Sequence, residues 1–418
     1  MTDTLAIFTP KIGERSETFI KRHIDSILPG RTVVIAGSRA GAQWAVKCPS
    51  LVLDELPTPR FAKVLFWAIL EKAGWRRENP EIRAVREFLR NHKVTVAMGE
   101  YLDASLPWLE VCRNLGIRFY GHAHGYDVSI LLRQEQWRKA YLKYRDAAGI
   151  IAVSQASRAR LIDLGLVAES IHVIPCGVEV EERDTLGICS NHRESEAPVV
   201  TAVPGGRVET NAGLIRCLAV GRMVSKKSPI LCLDAFRRAV EKVPALRLTY
   251  VGTGELLPAA RHFVKAFDLG DKVSLLGGQP HKVVDQLLTE SDVFIQHSIV
   301  DQDSGDEEGL PVGILEAMAH GLPVISTRHA GIPDAVIHQG TGLLVEEGDS
   351  EGMADCLVKL ANDTELRRRM GHEGWRRAKE LFTWERECEH LREVMGVEGG
   401  EKGEGERPYT SDPRLRRR

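Results

Sequence analysis

Short apolar, β-branched runs alternate with amphipathic stretches along almost the whole chain. The first series of runs predicts six strands, at Leu5–Thr9, Thr32–Ala36, Val94–Met98, Arg118–Tyr120, Gly149–Val153 and Ile171–Ile174. The second series predicts six more, at Ile215–Val220, Leu246–Val251, Val273–Leu276, Val293–Gln296, Pro323–Thr327 and Gly342–Val345. Helical periodicity lies between them, for example over Pro229–Glu241, Lys282–Glu290 and Val312–His320. This alternation is typical of parallel sheets with helices on both faces.

A polar segment rich in Gly, Pro, Ser and Glu separates the two series and shows no sustained period. We place an interdomain linker there, over 186–213, between domains over 1–185 and 214–374. A helix over 375–395 and a tail over 396–418 with almost nothing to bury complete the chain. The expected fold is α/β, with two doubly wound Rossmann-like domains that face a cleft. Ligands in such sheets lie at the carboxyl ends of the strands.

Composition narrows the functional classes. The chain has 418 residues, 43% of them hydrophobic, and a formal net charge of -2. This near-neutral charge argues against a nucleic-acid binder. Because no apolar run has the length that spans a bilayer and Met1–Phe8 lacks the basic start of a signal peptide, we expect a cytoplasmic protein. The eight cysteines form no CxxC pair and no cluster at metal-ligand spacing, which indicates reduced thiols and no metal site.

Residues 59–77 combine an apolar run with flanking Lys and Arg. The stretch PRFAKVLFWAILEKAGWRR includes Trp67 and Trp75. A broad apolar arc with a narrower basic side is typical of a helix on a membrane surface, which would make the protein peripheral at the inner membrane face. A helix that covers the core of the N-terminal domain has the same pattern, so both interpretations stay open.

The segment EGLPVGILE, Glu308–Glu316, gives the strongest functional signal. Glu308 lies in a loop, and a helix begins near Pro311, whose missing N–H costs nothing in a first helical turn. The free N–H groups of that turn and the helix dipole form an anion site suited to a diphosphate. Gly309 and Gly313 allow a ligand to approach closely, and Glu316 can accept hydrogen bonds from two ribose hydroxyls. An acidic loop before a helix, with Glu316 as a local cap, is the structural alternative.

Two further loops follow predicted strands of the second series. In GRMVSKK, Arg222 and Lys227 bring two positive charges to one diphosphate, since Arg binds two oxygens at once and Lys supplies a point charge. The segment VGTGELL starts like a dinucleotide-binding fingerprint with Gly252 and Gly254, but it has Leu257 in place of the third glycine. Solvated basic residues and a tight turn are the respective alternatives.

His124, in YGHAHGYDVS, follows a predicted strand and faces the expected cleft. A loop histidine beside glycine can donate to a sugar hydroxyl or to charge that develops at an anomeric carbon; a structural histidine is the alternative. Asp301 and Asp303 imitate a DxD pair that binds a divalent metal. Because Arg222 and Lys227 already offer positive charge to the diphosphate, we favour a solvated acidic loop at the cleft rim.

Together these motifs resemble the retaining glycosyltransferase family 4 of the GT-B fold, and in particular bacterial exopolysaccharide enzymes of the colanic-acid type. The resemblance covers most of residues 5–395. Its segments are FTPKIGERSETFI, HGYDVS, AVSQASRARL, IHVIPCGVE, AVGRMVSKK, VGTGEL and EEGLPVGILEAMAHGLPVISTRHAGIPDAV. Their order along the chain is more specific than any one motif.

The resemblance implies a role for each matched residue: diphosphate neutralisation by Arg222 and Lys227, contact with the donor sugar by Glu308, and ribose binding by Glu316. The catalytic set is His124, Glu308, Arg222 and Lys227. The donor-binding set is Gly13, Gly252, Gly254, Gly309, Leu310, Pro311, Gly313 and Glu316. The acceptor-side set is Ser16, Glu17 and Asp127. The loop PKIGERSE has only Gly13 where many relatives carry a glycine pair, which weakens the assignment of that loop. The last helix, about Trp375–Val394, should cross back onto the N-terminal domain.

We therefore expect a retaining, metal-independent transfer of a hexose from a nucleoside-diphosphate sugar to a saccharide acceptor in polysaccharide biosynthesis. The expected acceptor is a lipid-linked saccharide at the cytoplasmic face of the membrane. No cofactor is expected, and the nucleotide sugar is a substrate. An epimerase or a phosphorylase on the same fold is one alternative. A non-catalytic partner in polysaccharide assembly that only binds nucleotide sugar is the other.

Overall fold

The computed structural model describes residues 2–14, 17–40, 44–56, 79–182 and 213–398, which form two parallel sheets. In the first sheet, seven strands lie in the order β3-β2-β1-β4-β5-β6-β7. They are β1 (Leu5–Ile12), β2 (Thr32–Arg39), β3 (Ser50–Val52), β4 (Val96–Glu100), β5 (Arg118–Ala123), β6 (Gly149–Ala152) and β7 (Ile171–Val173). The helices described with this sheet are α1 (Thr18–Ser26), α2 (Pro80–Asn91), α3 (Leu102–Asn114), α4 (Glu135–Tyr141) and α5 (Gln155–Asp163).

The second sheet has six strands in the order β10-β9-β8-β11-β12-β13. They are β8 (Ile215–Val220), β9 (Leu246–Val251), β10 (Val273–Gly277), β11 (Val293–Ile295), β12 (Val324–Thr327) and β13 (Gly342–Val345). The helices that follow these strands are α6 (Pro229–Lys242), α7 (Leu257–Ala266), α8 (His281–Glu290), α9 (Val312–Ala319), α10 (Ile332–Ala335), α11 (Ser350–Asn362) and α12 (Thr364–Leu381).

Each sheet is buried on both faces, as the near-continuous apolar runs of its strands require. Alternate residues of β1 show this, because Phe8 packs in a core cluster on one face and Ile7 in a separate cluster. The strand order reverses between β1 and β4 in the first sheet and between β8 and β11 in the second. At such reversals neighbouring loops diverge and leave a crevice at the carboxyl ends of the strands.

A final helix, α13 (Trp384–Met395), returns to the first sheet. Its buried residues Leu391 and Met395 share a core cluster with Leu5 of β1. A break at Phe382–Thr383 separates α12 from α13, and the Thr383 side chain caps α13. The predicted crossing is therefore made by α13 alone, since residues 375–381 complete α12.

The α/β architecture of two doubly wound sheets is confirmed, and all twelve predicted strands are present. The sequence missed the edge strand β3, because three residues are too few to show a period. The structure also extends past the predicted start of the tail, since Val397 is buried against the first sheet. Residues 59–77, nearly all of the predicted linker 186–213, and 399–418 lie outside the described residues. Among the described helices, none has both the length and the apolar character that crossing a bilayer demands.

Candidate active site

The loops that follow β8 and β9 pack backbone against backbone. A Cβ on Gly252 would lie 1.8 Å from the carbonyl oxygen of Gly221, and a Cβ on Gly254 would lie 2.3 Å from that of Met223. Any side chain at these two positions would force the loops apart. In the structure the two glycines therefore support the loop that carries Arg222.

The basic residues of the β8 loop occupy different environments. Arg222 is exposed, and its guanidinium has no hydrogen-bond or ion-pair partner among the residues that the structure describes. Lys227 is largely buried, with Nζ 3.2 Å from Oε1 of Glu308. Burial lowers the pKa of Lys227, and Glu308 opposes that change only in part. The loop thus presents one open cation and one cation that already faces a carboxylate.

Glu308 lies in the loop after β11 and is itself buried. Burial raises the pKa of this carboxyl, but Lys227 and Lys226 outweigh it, and the net pKa is lowered. Glu308 is thus ionised at neutral pH. Its Oε1 atom lies within hydrogen-bond distance of Nζ of Lys227, and the opposite charges hold the two side chains together.

Helix α9 begins at Val312, where the helical pattern of the sequence starts. Pro311 is its N-cap, with extended backbone (φ -67, ψ 112), and does not belong to the first turn. No side chain at the N-cap accepts a hydrogen bond from the first turn. Ile314 N–H donates to the Pro311 carbonyl oxygen at 3.1 Å, and the N–H groups of Val312 and Gly313 are left for water or a ligand. Leu310 is buried in the core behind the loop, and a Cβ on Gly313 would contact the Val220 carbonyl oxygen at 3.4 Å.

Glu316 lies on the second turn of α9 and is partly exposed. Its Oε1 lies 3.3 Å from Nε2 of His281 at the start of α8. The hydrogen bond to Glu316 raises the pKa of His281. Because a carboxylate accepts several hydrogen bonds, Glu316 keeps positions for other donors.

Glycines bring loops of the two sheets into contact. A Cβ on Gly125 would lie 2.8 Å from the backbone nitrogen of Gly309 and 3.0 Å from the carbonyl oxygen of Glu307. The N–H of Gly331 donates to the Gly309 carbonyl oxygen at 3.1 Å. This approach places the residue after His124 directly against the residue after Glu308.

His124 is the first residue after β5 and is 9% exposed. Its ring lies 4.9 Å from the Phe19 ring and 4.6 Å from the Tyr101 ring, between centroids. Its Nε2 lies 3.0 Å from Oε2 of Glu100. Burial and the charge of His122 lower the pKa of His124 to about 4, against the opposing effect of Glu100. The imidazole is therefore neutral at physiological pH.

Asp127 does not fit the predicted acceptor-side role. It is fully buried, and its two carboxylate oxygens accept the backbone N–H groups of His124 and Leu102, both at 2.8 Å. Burial raises its pKa to about 7. Because no part of Asp127 is open to a ligand, it fixes the loop that carries His124.

The loop after β1 is described only in part. Gly13 has φ +90, a left-handed conformation that favours glycine. Glu17 is partly buried and accepts a hydrogen bond from the Tyr101 hydroxyl at 3.0 Å, and burial raises its pKa. Ser16 lies outside the described residues. The roles of Gly13 with the donor and of Ser16 and Glu17 with the acceptor stay predictions.

The acidic loop over 301–307 keeps Asp303 exposed, whereas Asp306 and Glu307 form ion pairs. Asp301 accepts hydrogen bonds from neighbouring serine hydroxyls. Asp306 lies 3.0 Å from Nζ of Lys226. Glu307 forms an ion pair with Arg160 of α5 and so joins the two sheets.

Sequence reasoning missed a support behind Glu308. Nε2 of His329 accepts the backbone N–H of Glu308 at 3.1 Å. Nδ1 of the same ring lies 2.7 Å from Oε1 of Glu347, to which it donates. The other oxygen of Glu347 accepts the N–H of Val300 at 2.9 Å. These bonds tie the loop after β11 to the end of β13.

Two family models match the chain. "Glycosyltransferase Family 4" matches residues 32–182, and "Glycosyl transferases group 1" matches residues 208–377. The chain is 31% identical over 239 residues to the amylovoran biosynthesis glycosyltransferase AmsK of Erwinia amylovora, across 57% of this chain and 54% of AmsK. It is 38% identical over 117 residues to WcaL of Escherichia coli (strain K12), named for colanic acid biosynthesis, across 28% of this chain and 29% of WcaL. The matched regions thus span about half of AmsK and under a third of WcaL.

Solved structures share the fold along nearly the whole chain. Anabaena Alr3699/HepE in complex with UDP and glucose has a TM-score of 0.71 at 16% identity, across 94% of this chain and 99% of that one. Sucrose-phosphate synthase from Thermosynechococcus elongatus has a TM-score of 0.68 at 18% identity, across 94% and 98%. At these identities the likeness bears on the fold alone. Since the two family models fall on the two sheets in turn, the chain belongs to the GT-B glycosyltransferases that combine a family 4 domain with a group 1 domain.

Proposed function

We propose that the protein is a retaining, metal-independent glycosyltransferase that moves a hexose from a nucleoside-diphosphate sugar to a saccharide acceptor in polysaccharide biosynthesis. One observation carries the proposal. The Gly125–Gly309 contact places the residue that follows His124 in the first sheet against the residue that follows Glu308 in the second, and Glu308 lies against Lys227. The loop that carries a neutral imidazole thus touches the loop that carries an ionised carboxylate and its neighbouring positive charge.

The positive groups are suited to a leaving diphosphate. Arg222 has no partner among the described residues, so it can bind two phosphate oxygens without giving up an existing bond. The uncapped first turn of α9 adds backbone N–H groups and the positive end of its dipole. Donors fixed in place before the reaction stabilise developing negative charge without reorganisation.

We propose that these groups replace a metal ion. The acidic loop would be the natural place for a cation, but Lys226 and Arg160 already engage Asp306 and Glu307. Neighbouring hydroxyls engage Asp301. A hard cation requires about six oxygen ligands, and this loop offers Asp303 as its exposed carboxylate.

The sugar would lie between Glu308 and His124. As the glycosidic bond breaks, positive charge develops on the sugar, and the ionised Glu308 is placed to stabilise it. The retaining course rests on the family resemblance, with the acceptor attacking from the face that the diphosphate leaves. AmsK and WcaL are named for polysaccharide biosynthesis, which supports a saccharide acceptor, and we propose a lipid-linked form at the cytoplasmic membrane face.

The test is release of nucleoside diphosphate from a panel of nucleotide hexoses, with and without saccharide acceptors, in the presence of EDTA. We expect turnover of one donor, accelerated by acceptor, and an anomeric proton coupling in the product that matches the donor configuration. Epimerised donor would indicate an epimerase, and turnover only with phosphate would indicate a phosphorylase. Binding without turnover would indicate a non-catalytic partner. Loss of activity in EDTA that Mn²⁺ restores, or an inverted product, would contradict the mechanism.

A further inference from the structure

A buried network of charged groups lies behind His124. Glu100, the last residue of β4, is fully buried and touches three histidines. Its Oε1 lies 2.6 Å from Nδ1 of His23, and its Oε2 lies 2.9 Å from Nδ1 of His122 and 3.0 Å from Nε2 of His124. Burial raises the pKa of Glu100, but His122 and His23 outweigh it and hold the pKa well below its ordinary value. An ionised carboxylate only accepts hydrogen bonds, so each of these ring nitrogens carries a proton.

The network continues to the helix that crosses between the sheets. Nε2 of His23 lies 3.1 Å from Oε1 of Glu387 on α13. The other oxygen of Glu387, Oε2, accepts the N–H of Gly177 at 2.9 Å. Both nitrogens of His23 therefore donate, and the ring is an imidazolium between two carboxylates. Burial lowers the pKa of His23, yet Glu100 and Glu387 outweigh it and raise the pKa to about 10.

We propose that Glu100 is a positioning residue for His124: it fixes the Nε2–H tautomer, so the ring presents an unprotonated Nδ1 at the cleft. This inference rests on the proposed function, in which His124 lies beside the reacting sugar. Nδ1 has no partner among the described residues and is not among the fully buried polar atoms. A neutral nitrogen with a lone pair accepts a hydrogen bond from a sugar hydroxyl, whereas the sequence analysis treated His124 as a donor.

The ring has little freedom to turn. It is packed by the rings of Phe19, Tyr101 and His122, the last at 4.3 Å between centroids. The titratable groups that face it are Glu100 from β4, His122 from β5, His23 from α1 and the Tyr101 hydroxyl. If the His124 ring turned away, Oε2 of Glu100 would lose one of its hydrogen-bond donors. Because the site is fully buried, that loss would cost free energy.

A metal ion is the competing explanation, because ligand atoms of His23, Glu100 and His122 lie within 4.8 Å of one another. The contacts of 2.6 and 2.9 Å between nitrogen and oxygen are those of direct hydrogen bonds. Ligands around a tetrahedral zinc at about 2.0–2.1 Å would be about 3.3 Å apart. The imidazolium of His23 already supplies the positive charge that a metal would bring.

The test is the side-chain ¹⁵N spectrum of the full chain labelled in histidine, with His124 assigned through H124Q. We expect the Nε2–H pattern for His124, unchanged between pH 5.5 and 8.5. In E100Q the amide has one acceptor oxygen in place of two, and the positive charge of His23 attracts that oxygen. No acceptor then faces Nε2 of His124. His124 should then move to the Nδ1–H tautomer or a mixture, while D103N, which removes a nearby carboxylate, should leave the pattern intact.

Kinetics of the same variants separate positioning from damage to the fold. E100Q should lower kcat at least tenfold with donor KM little changed. Any of four results would overturn the proposal. They are the Nδ1–H tautomer of His124 in the wild type, titration of His124 near pH 6.5, zinc bound at one ion per chain, and an unaltered His124 ¹⁵N pattern in E100Q. If E100Q does not fold, the wild-type spectrum decides alone. A wild-type transfer rate in H124Q would contradict the proposed function, and the spectra would still test the network.

Discussion

The Gly125–Gly309 contact gives a sharp test of whether the two sheets must touch for activity. Gly125 has φ -68 and ψ -55, a conformation that alanine adopts without strain. The single obstacle to G125A is therefore space. The new Cβ would lie 2.8 Å from the Gly309 nitrogen, about 0.6 Å short of the 3.4 Å at which ordinary contact begins. Each sheet has a core cluster of its own, and a third cluster joins Val153, Cys176 and Val178 to the second sheet; we expect the strain to be relieved at the contact between the sheets.

We expect G125A to separate His124 from Glu308 by about 0.6 Å and to lower kcat about tenfold to a hundredfold, since displacements near 1 Å cost about a hundredfold. Nucleoside-diphosphate affinity should be unchanged, because Arg222, Lys227 and α9 all belong to the second sheet. Thermal stability should be equal or lower, because the gain of about 0.4–1 kcal/mol from replacing glycine at a compatible φ and ψ is offset by the clash of the new Cβ with backbone atoms of Gly309 and Glu307.

The assay combines donor turnover, calorimetric binding of the nucleoside diphosphate and thermal unfolding. G270A is the matched control, because a Cβ at Gly270 meets nothing within 4 Å. Wild-type kcat in G125A would show that the contact is not needed for catalysis. Equal losses of nucleotide affinity and kcat would show that the substitution disturbs the second sheet itself.

Four other outcomes are expected. E316A should raise donor KM about tenfold to a hundredfold with kcat preserved, since hydrogen bonds to a charged group contribute about 1.5–3 kcal/mol to binding of an unreactive ribose. Steady-state kinetics checks this prediction, and H281A is its control. E308Q should instead lower kcat with product affinity nearly unchanged. D303A should retain activity in EDTA, because the exposed Asp303 binds no required metal in the proposed mechanism. The stability that His23 contributes should be complete below pH 6.5 and decline as pH rises toward 10. The free energy of unfolding, measured with urea, should therefore be lower at pH 9 than at pH 6.5, and H23Q should reduce that difference.

Much of the fold was predictable because parallel strands buried on both faces leave continuous apolar runs. The bounds of β8, β9 and β13 match the prediction at both ends. The end of β5 was missed because the sequence around His122 is polar, although His122 lies fully buried in the strand. Tertiary partners, here Glu100 above all, made a polar strand end stable, and the pattern of one segment does not reveal such partners.

The candidate site was predictable where loop position alone decides the outcome. Loops that follow parallel strands converge at one edge, which places Arg222 and Glu308 at the same edge of the second sheet and His124 at the corresponding edge of the first. The burial of Asp127 was not predictable, because its partner Leu102 is 25 residues away. Glu100 gave a faint signal, as a charged residue that ends the apolar run VAMG. The spacing of His122 and His124 by two gave another, since alternate strand residues point to one face.

The Lys227–Glu308 pair explains how one carboxylate can serve both the free enzyme and the proposed reaction. In the free enzyme the buried Glu308 requires a countercharge, which Lys227 supplies at 3.2 Å. An arriving diphosphate competes for Lys227, while Lys226 keeps Glu308 ionised. Glu308 then has less positive charge beside it at the moment when positive charge develops on the sugar. The carboxylate therefore stabilises the transition state more than the bound donor, which is the condition under which its loss lowers kcat and spares product binding.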